Sequence, residues 1–473
     1  MSRWWIRLAS GLSSWAVMAP LGFAAALPAG AQAPVPEGGE FQVNTYTTNI
    51  QYRPSVATEA DGGFVVVWHS YGSSGTDTSG SNIQGQRHAS DGSTQGAQFQ
   101  VNTFTTGGQK EPSVATEADG DFVVVWGSDG SSPPTNHSIQ GQRYASDGST
   151  RGAQFQVNTY PGPFQSGPSV ATDADGDIVV VWDNLGSPGT DASGLSVQGQ
   201  RYASDGSAQG AQFQVNTDTS KDQGLSSVAA DADGDFVVAW VNNSGLTEPP
   251  FMGVTVHGQR YASDGSKQGA QFQVNTYATI WQYHPSMATN PDGDFVVAWD
   301  SSSSPETDSS AFSIQARIYS STGAALGPQF QVNTYTSSEQ RYPSVATDPD
   351  GSFVVVWQSQ GSAGTDTGVT VSTQGQRYSS DGSAQGAQFQ VNTYTTSAQD
   401  RPSVAADAGG DFVVVWQSAG SFGTDTSSRS IQGQRYSVPA PVSPVPAMSP
   451  ATRFALGAAL MLLGAAYALS RRS

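Results

Sequence analysis

The sequence predicts an all-β fold: a seven-bladed β-propeller of four-stranded blades, closed by the N-terminal strand pairing with the last blade. Three observations carry this. The pentapeptide Phe41-Gln42-Val43-Asn44-Thr45 returns at Phe99, Phe155, Phe213, Phe272, Phe330 and Phe389, at spacings of 56 to 59 residues. That period suits a propeller blade better than a β-helix rung or a helical repeat. Each unit holds four strand-like pieces bounded by turn signals. The phase is offset: there are seven copies of each piece, but the chain starts with the fourth and ends with the third. Joining the two ends completes a seventh blade and leaves no exposed sheet edge.

The four pieces of the first unit stand for the rest. The first follows a proline, Pro54-Ser55-Val56-Ala57-Thr58. The second, Phe64-Val65-Val66-Val67-Trp68, is apolar at every position, the pattern of a strand covered on both faces. It recurs down to Phe412–Trp416 and ends in seven of the eleven tryptophans, which are therefore expected to be packing residues. Each buried Phe, Val or Trp contributes about 1.5–3 kcal/mol relative to exposure, enough for a core without disulfides. The third piece is Ile83-Gln84-Gly85-Gln86-Arg87, and the fourth is the pentapeptide itself. The seven third-strand arginines, from Arg87 to Arg435, are expected to pair with carboxylates at the blade corners.

In an up-and-down blade, the first-to-second and third-to-fourth turns share one face. Here those turns are tight and acidic, with Asp-Gly at nearly every corner, the strongest short hairpin signal. The spacing of Asp119 and Asp121, of Asp173, Asp175 and Asp177, and of Asp231, Asp233 and Asp235 also offers oxygen ligands for a hard cation such as Ca2+, though without the distal glutamate of an EF-hand. The opposite face carries the longer, variable loops, where binding usually resides. Beside them a glutamine precedes each first strand: Gln51, Gln109, Gln165, Gln223, Gln282, Gln340 and Gln399. An aromatic follows Val-Asn-Thr in six of seven units, among them Tyr46, Tyr160, Tyr277, Tyr335 and Tyr394, with Asp218 as the exception. The amides are expected either to tie blades together or, with the tyrosines, to capture a polar polymer such as a glycan.

The ends have a different character. Residues 1–31 read as a secretory signal peptide: Arg3 and Arg7, an apolar run, then Ala29-Gly30-Ala31. The repeats fill 34–437. Residues 438–450 form a proline-rich spacer, and 451–473 an apolar segment of near-membrane length ending in Arg471-Arg472. The absence of cysteine in an exported chain means no disulfide framework. Net charge is −19; without the five arginines of the two ends, 15 basic residues face 39 acidic ones, or −24. Such a surface excludes nucleic acid as a partner.

Val445-Pro446-Ala447-Met448-Ser449, followed by the apolar segment and the arginine pair, resembles the C-terminal sorting signals of Gram-negative bacteria, closest to the IPTL-CTERM type and more distantly to PEP-CTERM. The resemblance implies export, export and tail-processing machinery as partners, and a tail held at least transiently in the membrane of the cell envelope. The repeat resembles uncharacterised tandem repeats of secreted bacterial proteins, which implies surface exposure. No nucleophile elbow or zinc spacing occurs, and the five histidines fall at unrelated repeat positions. The expectation is thus a cell-surface binding or adhesion module for glycans or matrix polymers rather than an enzyme. A purely structural surface protein is the alternative, followed by a glycoside-cleaving propeller.

Overall fold

A computed structural model describes residues 33–439 apart from 73–74, 78–79, 133–134, 161, 187–190, 192–193, 221, 244–252, 277–280, 305–307, 362–370, 421–422 and 426–427. The signal peptide, the C-terminal segment and nearly all of the spacer lie outside the described residues. Among the described residues no helix is long and apolar enough to cross a membrane.

Seven four-stranded antiparallel sheets form a β-propeller. Six sheets are sequential hairpins spanning 51–100, 109–156, 164–214, 222–273, 282–331 and 340–390. The seventh combines Gln399–Ala406, Phe412–Ser418 and Ser430–Ser437 with the N-terminal strand Val35–Gln42, which pairs along Ser430–Ser437. The closure expected from the repeat phase is therefore present.

Adjacent blades share their cores. Each hydrophobic cluster takes the Trp and Phe of one blade and the alternate valines of the blade before it, as with Val65, Val67 and Ile83 packed against Phe122, Val124 and Trp126. The cluster of Val43, Phe64, Val66 and Trp68 with Val413, Val415 and Ile431 seals the junction between the last blade and the first. All seven second-strand tryptophans are 0% exposed. On the third strand six blades keep a glycine at a close approach: a Cβ on Gly85 would lie 2.5 Å from Phe99 Cζ, because the fourth-strand ring lies flat on the backbone, whereas blade five accommodates Ala316 opposite Phe330.

Repeated hydrogen bonds hold the blades in a ring. On the inner strands, Ser Oγ accepts from the next blade's Val N, as from Val114 to Ser55 (3.3 Å), and the ring closes with Val56 N to Ser403 Oγ at 3.3 Å. On the outside, the Gln98 carbonyl oxygen accepts from Thr45 N and Tyr46 N, while its amide donates to Gln84 Oε1 at 2.9 Å. The same arrangement recurs at Gln154, Gln212, Gln329 and Gln388.

Two expectations change. The fourth strand starts earlier than the pentapeptide, at Thr94 rather than Phe99, and ends at Gln100. Val101 and Asn102 then leave the sheet and turn inward. Asn102 Oδ1 accepts from Ile83 N at 2.9 Å, so its side chain stands in for the next backbone carbonyl of the ladder. The third-strand arginines reach mainly across to the next blade rather than to corner carboxylates: Arg87, Arg143 and Arg201 donate to the carbonyls of Ser146, Ser204 and Ser263. Arg377 does pair with a corner carboxylate, Asp348, at 2.9 Å.

At the seam Glu40 takes the place of the outer glutamine. It accepts from Thr393 N (2.8 Å) and Tyr394 N (3.2 Å), but a carboxylate has no amide to give to Gln432, the counterpart of Gln84, and Glu40 Oε1 is buried without a partner. Glu40→Gln should supply that donor and stabilise the chain by about 1 kcal/mol, read as a higher denaturant midpoint, whereas Gln98→Glu should lower it. Deleting residues 33–46 removes the closing strand and should lower the melting temperature far more than trimming an exposed strand would, checked by thermal circular dichroism.

Candidate functional site

The site begins with a β-bulge repeated in every blade. In the first, Tyr52 faces His69 and Ser55 faces Val67, so Arg53 and Pro54 together oppose Trp68. The same shift occurs in the other six blades. The leading bulge residue takes positive φ: Arg53 (52°), Glu111 (56°), Gly167 (57°), Leu225 (54°), His284 (48°), Tyr342 (54°) and Arg401 (52°). Six of the seven are not glycine, and six precede proline, which disfavours helical backbone before it. Such bulges re-aim side chains, and strain of this kind collects at functional sites. Here they bring seven bulge residues, six of them with side chains, to one cavity of about 370 Å³, lined by the first strands of all seven blades. It opens beside the variable loops. A second axial cavity at the opposite end is lined by near-identical Asp-Ala, Asn-Pro and Asp-Pro corners.

Around the first mouth the groups are polar and mostly cross-linked. Arg53 pairs with Glu111, whose Oε2 accepts from Gly167 N at 3.0 Å. Asp300, fully buried, accepts from His284 Nδ1 at 2.9 Å and from Arg341 Nε at 3.1 Å. Arg429 holds Asp400 at 2.7 Å. Asp183 accepts from Leu225 N at 2.9 Å, yet burial raises its carboxyl to about 7, with Glu111 adding to the shift. Arg401 stacks its guanidinium over Tyr342, 4.1 Å from the ring centroid, and burial lowers its pKa.

Blade one adds an aromatic stack running outward from the mouth. Tyr52 and His69 rings lie 4.2 Å apart, and Tyr71 stacks on Tyr52 at 5.9 Å with 44% of its surface exposed. Burial, helped by Arg53 and Lys110, drives His69 down to about 3, and the Nε2 of the neutral ring lies at hydrogen-bond distance, 3.2 Å, from the Tyr52 hydroxyl. Among the described residues, Ile50, Tyr71, Leu185, Leu225 and Trp281 are exposed large apolar groups on this same face.

The seven glutamines expected to tie blades or bind ligand are all buried. Six accept from the indole Nε1 of their own blade's tryptophan, at 2.7–3.0 Å: Gln51, Gln109, Gln165, Gln282, Gln340 and Gln399. Gln223 instead accepts from Asn216. Tyr46, Tyr160, Tyr335 and Tyr394 are half-buried, and the hydroxyls of Tyr46, Tyr335 and Tyr394 sit against Gly72, Gly361 and Gly420. Tyr277 lies outside the described residues.

At the acidic corners the aspartates close turns. Asp173 Oδ1 accepts from Asp175 N (3.0 Å) and Asp177 N (2.8 Å), and Asp231 does the same with Asp233 and Asp235. The last aspartate of each trio staples the blade's other corner: Asp177 to Ser204 N, Asp235 to Ser263 N. Asp119 and Asp121 approach Glu117, with one carboxylate oxygen from each within 4.8 Å of the others. Burial raises Glu117 to about 7, and Arg151 already contacts Asp121.

The mouth residues are hard to see in the sequence because they are not positions that repeat. The informative signal is the reverse of repetition. In a repeat that keeps Pro-Ser-Val and Val-Val-Trp almost unchanged, the residue before the proline reads Arg, Glu, Gly, Leu, His, Tyr, Arg, and the residue after the tryptophan His, Gly, Asp, Val, Asp, Gln, Gln. Repetition therefore does not argue against a unique constellation here.

No family model and no curated protein matches the chain. Solved structures do. A protein of unknown function from Dyadobacter fermentans aligns over 86% of this chain and 99% of its own, at 11% identity and a TM-score of 0.49. A polysaccharide lyase, an ulvan lyase bound to an oligosaccharide, aligns over 84% and 95% at 9% identity with a TM-score of 0.50. An α-L-arabinofuranosidase from Fusarium graminearum covers 84% and 98% at 11% identity and 0.44. At these identities the likeness concerns the fold alone.

The raised carboxyl of Asp183 gives a pH test. Its folded pKa of about 7 lies above the ordinary aspartate value, so between about pH 4 and 7 the folded chain holds more protons than the unfolded one. This contribution to stability is full below that window and is lost as pH rises through it. Asp183→Asn should flatten this part of the melting-temperature profile and raise the melting temperature at pH 8.

Proposed function

We propose that the chain is an exported, envelope-held binding module that captures a polar polymer, a glycan or matrix polysaccharide, at the variable mouth of its central channel. The observation that carries the reading is the break in repeat symmetry: the bulge residues differ in every blade but one pair, and all converge on one cavity. A cavity of this size, with convergent polar groups beside exposed aromatics, is what a short stretch of sugar chain needs. Tyr71 on Tyr52 offers a stacking face, and Trp281 a second. The address rests on the leader-like 1–31 and the sorting-like tail. A polysaccharide lyase of similar fold holds an oligosaccharide.

A second reading, cleavage rather than capture, is favoured by Asp183, whose carboxyl near 7 suits a general acid and whose pKa responds to the neighbouring Glu111. Release of reducing ends, lost in Asp183→Asn, would distinguish it.

The test is a binding screen of the full chain against a broad panel of polysaccharides. At least one should bind, and Tyr71→Ala should weaken it about 5-fold, the worth of one aromatic stack, with the melting temperature unchanged. Failure across the panel would leave a purely structural surface role.

A further inference from the structure

We infer that the mouth selects a sugar unit carrying a single oxyanion, a carboxylate or a sulfate ester, and that Arg401, backed by Tyr342, is its seat. This rests on the glycan reading above and narrows it.

The other arginines at the mouth have carboxylate partners: Arg53 with Glu111, Arg341 with Asp300 and Arg429 with Asp400. Arg401 is different. Among the described residues its guanidinium makes no ion pair or hydrogen bond, although the chain carries 39 acidic residues against 20 basic ones. It lies on the Tyr342 ring, lines the cavity and sits close enough to Arg53 for the two charges to disfavour each other. Asp400 and Glu111 act on it only from beyond contact distance, and a partly buried guanidinium with no carboxylate in contact is costly. Stacking fixes its plane and leaves the N–H fork free, the geometry that matches a planar or tetrahedral oxyanion. Three blades away, Gly167 contributes no side chain to the ring and leaves Asp183 at the cavity wall, positioned to meet sugar hydroxyls. The strongly acidic remainder of the molecule repels a long polyanion, so the favoured ligand carries its charge on one unit, near a chain end.

The experiment measures, by calorimetry on the purified full chain, binding of three short oligosaccharides: one with a uronic acid at its end, the same compound with the carboxyl reduced to the alcohol, and one bearing a terminal sulfate ester. The parent should bind at least one acidic compound about 10-fold or more tighter than the neutral one. Arg401→Gln should erase that preference, leave neutral binding within about 2-fold of the parent and keep the parent's melting temperature; Arg401→Lys should retain part of it. Which acidic compound wins identifies the group. Equal binding of acidic and neutral compounds by the parent, or an undiminished preference in Arg401→Gln, overturns this inference and leaves the glycan reading standing. No binding of any of the three overturns both.

Discussion

Everything in this molecule depends on one antiparallel pairing, that of Val35–Gln42 along Ser430–Ser437. Without cysteines, the chain holds its ends together through this strand, the shared core around Val43, Trp68 and Ile431, and hydrogen bonds between the first and last blades such as Val56 N to Ser403 Oγ. The seam repeats the geometry of the other six junctions: Phe41 lies on Gly433 as Phe99 lies on Gly85. Its chemistry differs at two points. Glu40 replaces the outer glutamine, and His88 replaces the tyrosine whose hydroxyl elsewhere reaches the preceding blade's valine carbonyl, as Tyr202 reaches Val157 at 3.2 Å. His88 keeps the ring stacking of this position, on Phe64 at 4.7 Å as Tyr144 on Phe122, and burial keeps its pKa down. The closing strand thus gives up one repeated hydrogen bond within blade seven, Glu40 to Gln432, and one across to blade one, at His88, while keeping the packing, which is non-directional and tolerates the long loop closure.

A closed ring also explains how the molecule separates stability from recognition. Tryptophan, valine and glutamine positions are spent on contacts between neighbours, which are the same at every junction and so can repeat. The bulge positions face the axis, where seven blades meet and the contacts between neighbours, such as Arg53 with Glu111 and Arg401 on Tyr342, need not repeat. Each can change without disturbing a core cluster. A seven-fold scaffold can therefore present a site with no symmetry, and the strain of positive φ before proline is distributed over blades whose pairing continues on both sides of the bulge.

The fold was largely legible in the sequence, because period, the doubly covered Phe-Val-Val-Val-Trp strand and the offset phase report the same packing at different scales. What misled was the fourth strand. Its first half, Gly-Ala-Gln, has little β-branched or apolar character, and the more strand-like Val-Asn-Thr proves to be a turn whose asparagine mimics backbone. The arginines were assigned carboxylate partners from charge alone, whereas blade geometry delivers carbonyl oxygens of the next turn to them. The site was the least legible, because single residues such as Arg53 or Leu225 carry no pattern by themselves; only the conformation of the bulge reveals that they share an address.

Blade four shows how far the repeat can be bent before its core responds. Asp218 replaces the aromatic found in the other blades, and its carboxylate accepts from Asn242 Nδ2 at 3.2 Å. The Asn242 oxygen in turn accepts Gln223 Nε2 at 3.0 Å, as Asn184 accepts from Gln165 in blade three. Gln223 Oε1 then accepts from Asn216, also at 3.0 Å, rather than from the tryptophan. The consequence is Trp240 Nε1, buried without a partner, where six other indoles are satisfied. An orphaned donor of this kind costs about 1–3 kcal/mol, a loss that a small domain would feel but that six intact neighbours can absorb. The same blade lacks the bulge proline and presents Leu225 and Ser226 to the mouth, with Leu225 N bound to Asp183 of blade three. A substitution at the rim is thereby connected, bond by bond, to a buried indole on one side and to the least ordinary carboxylate of the mouth on the other. Blade four is accordingly the place where recognition has been bought at the expense of the repeat.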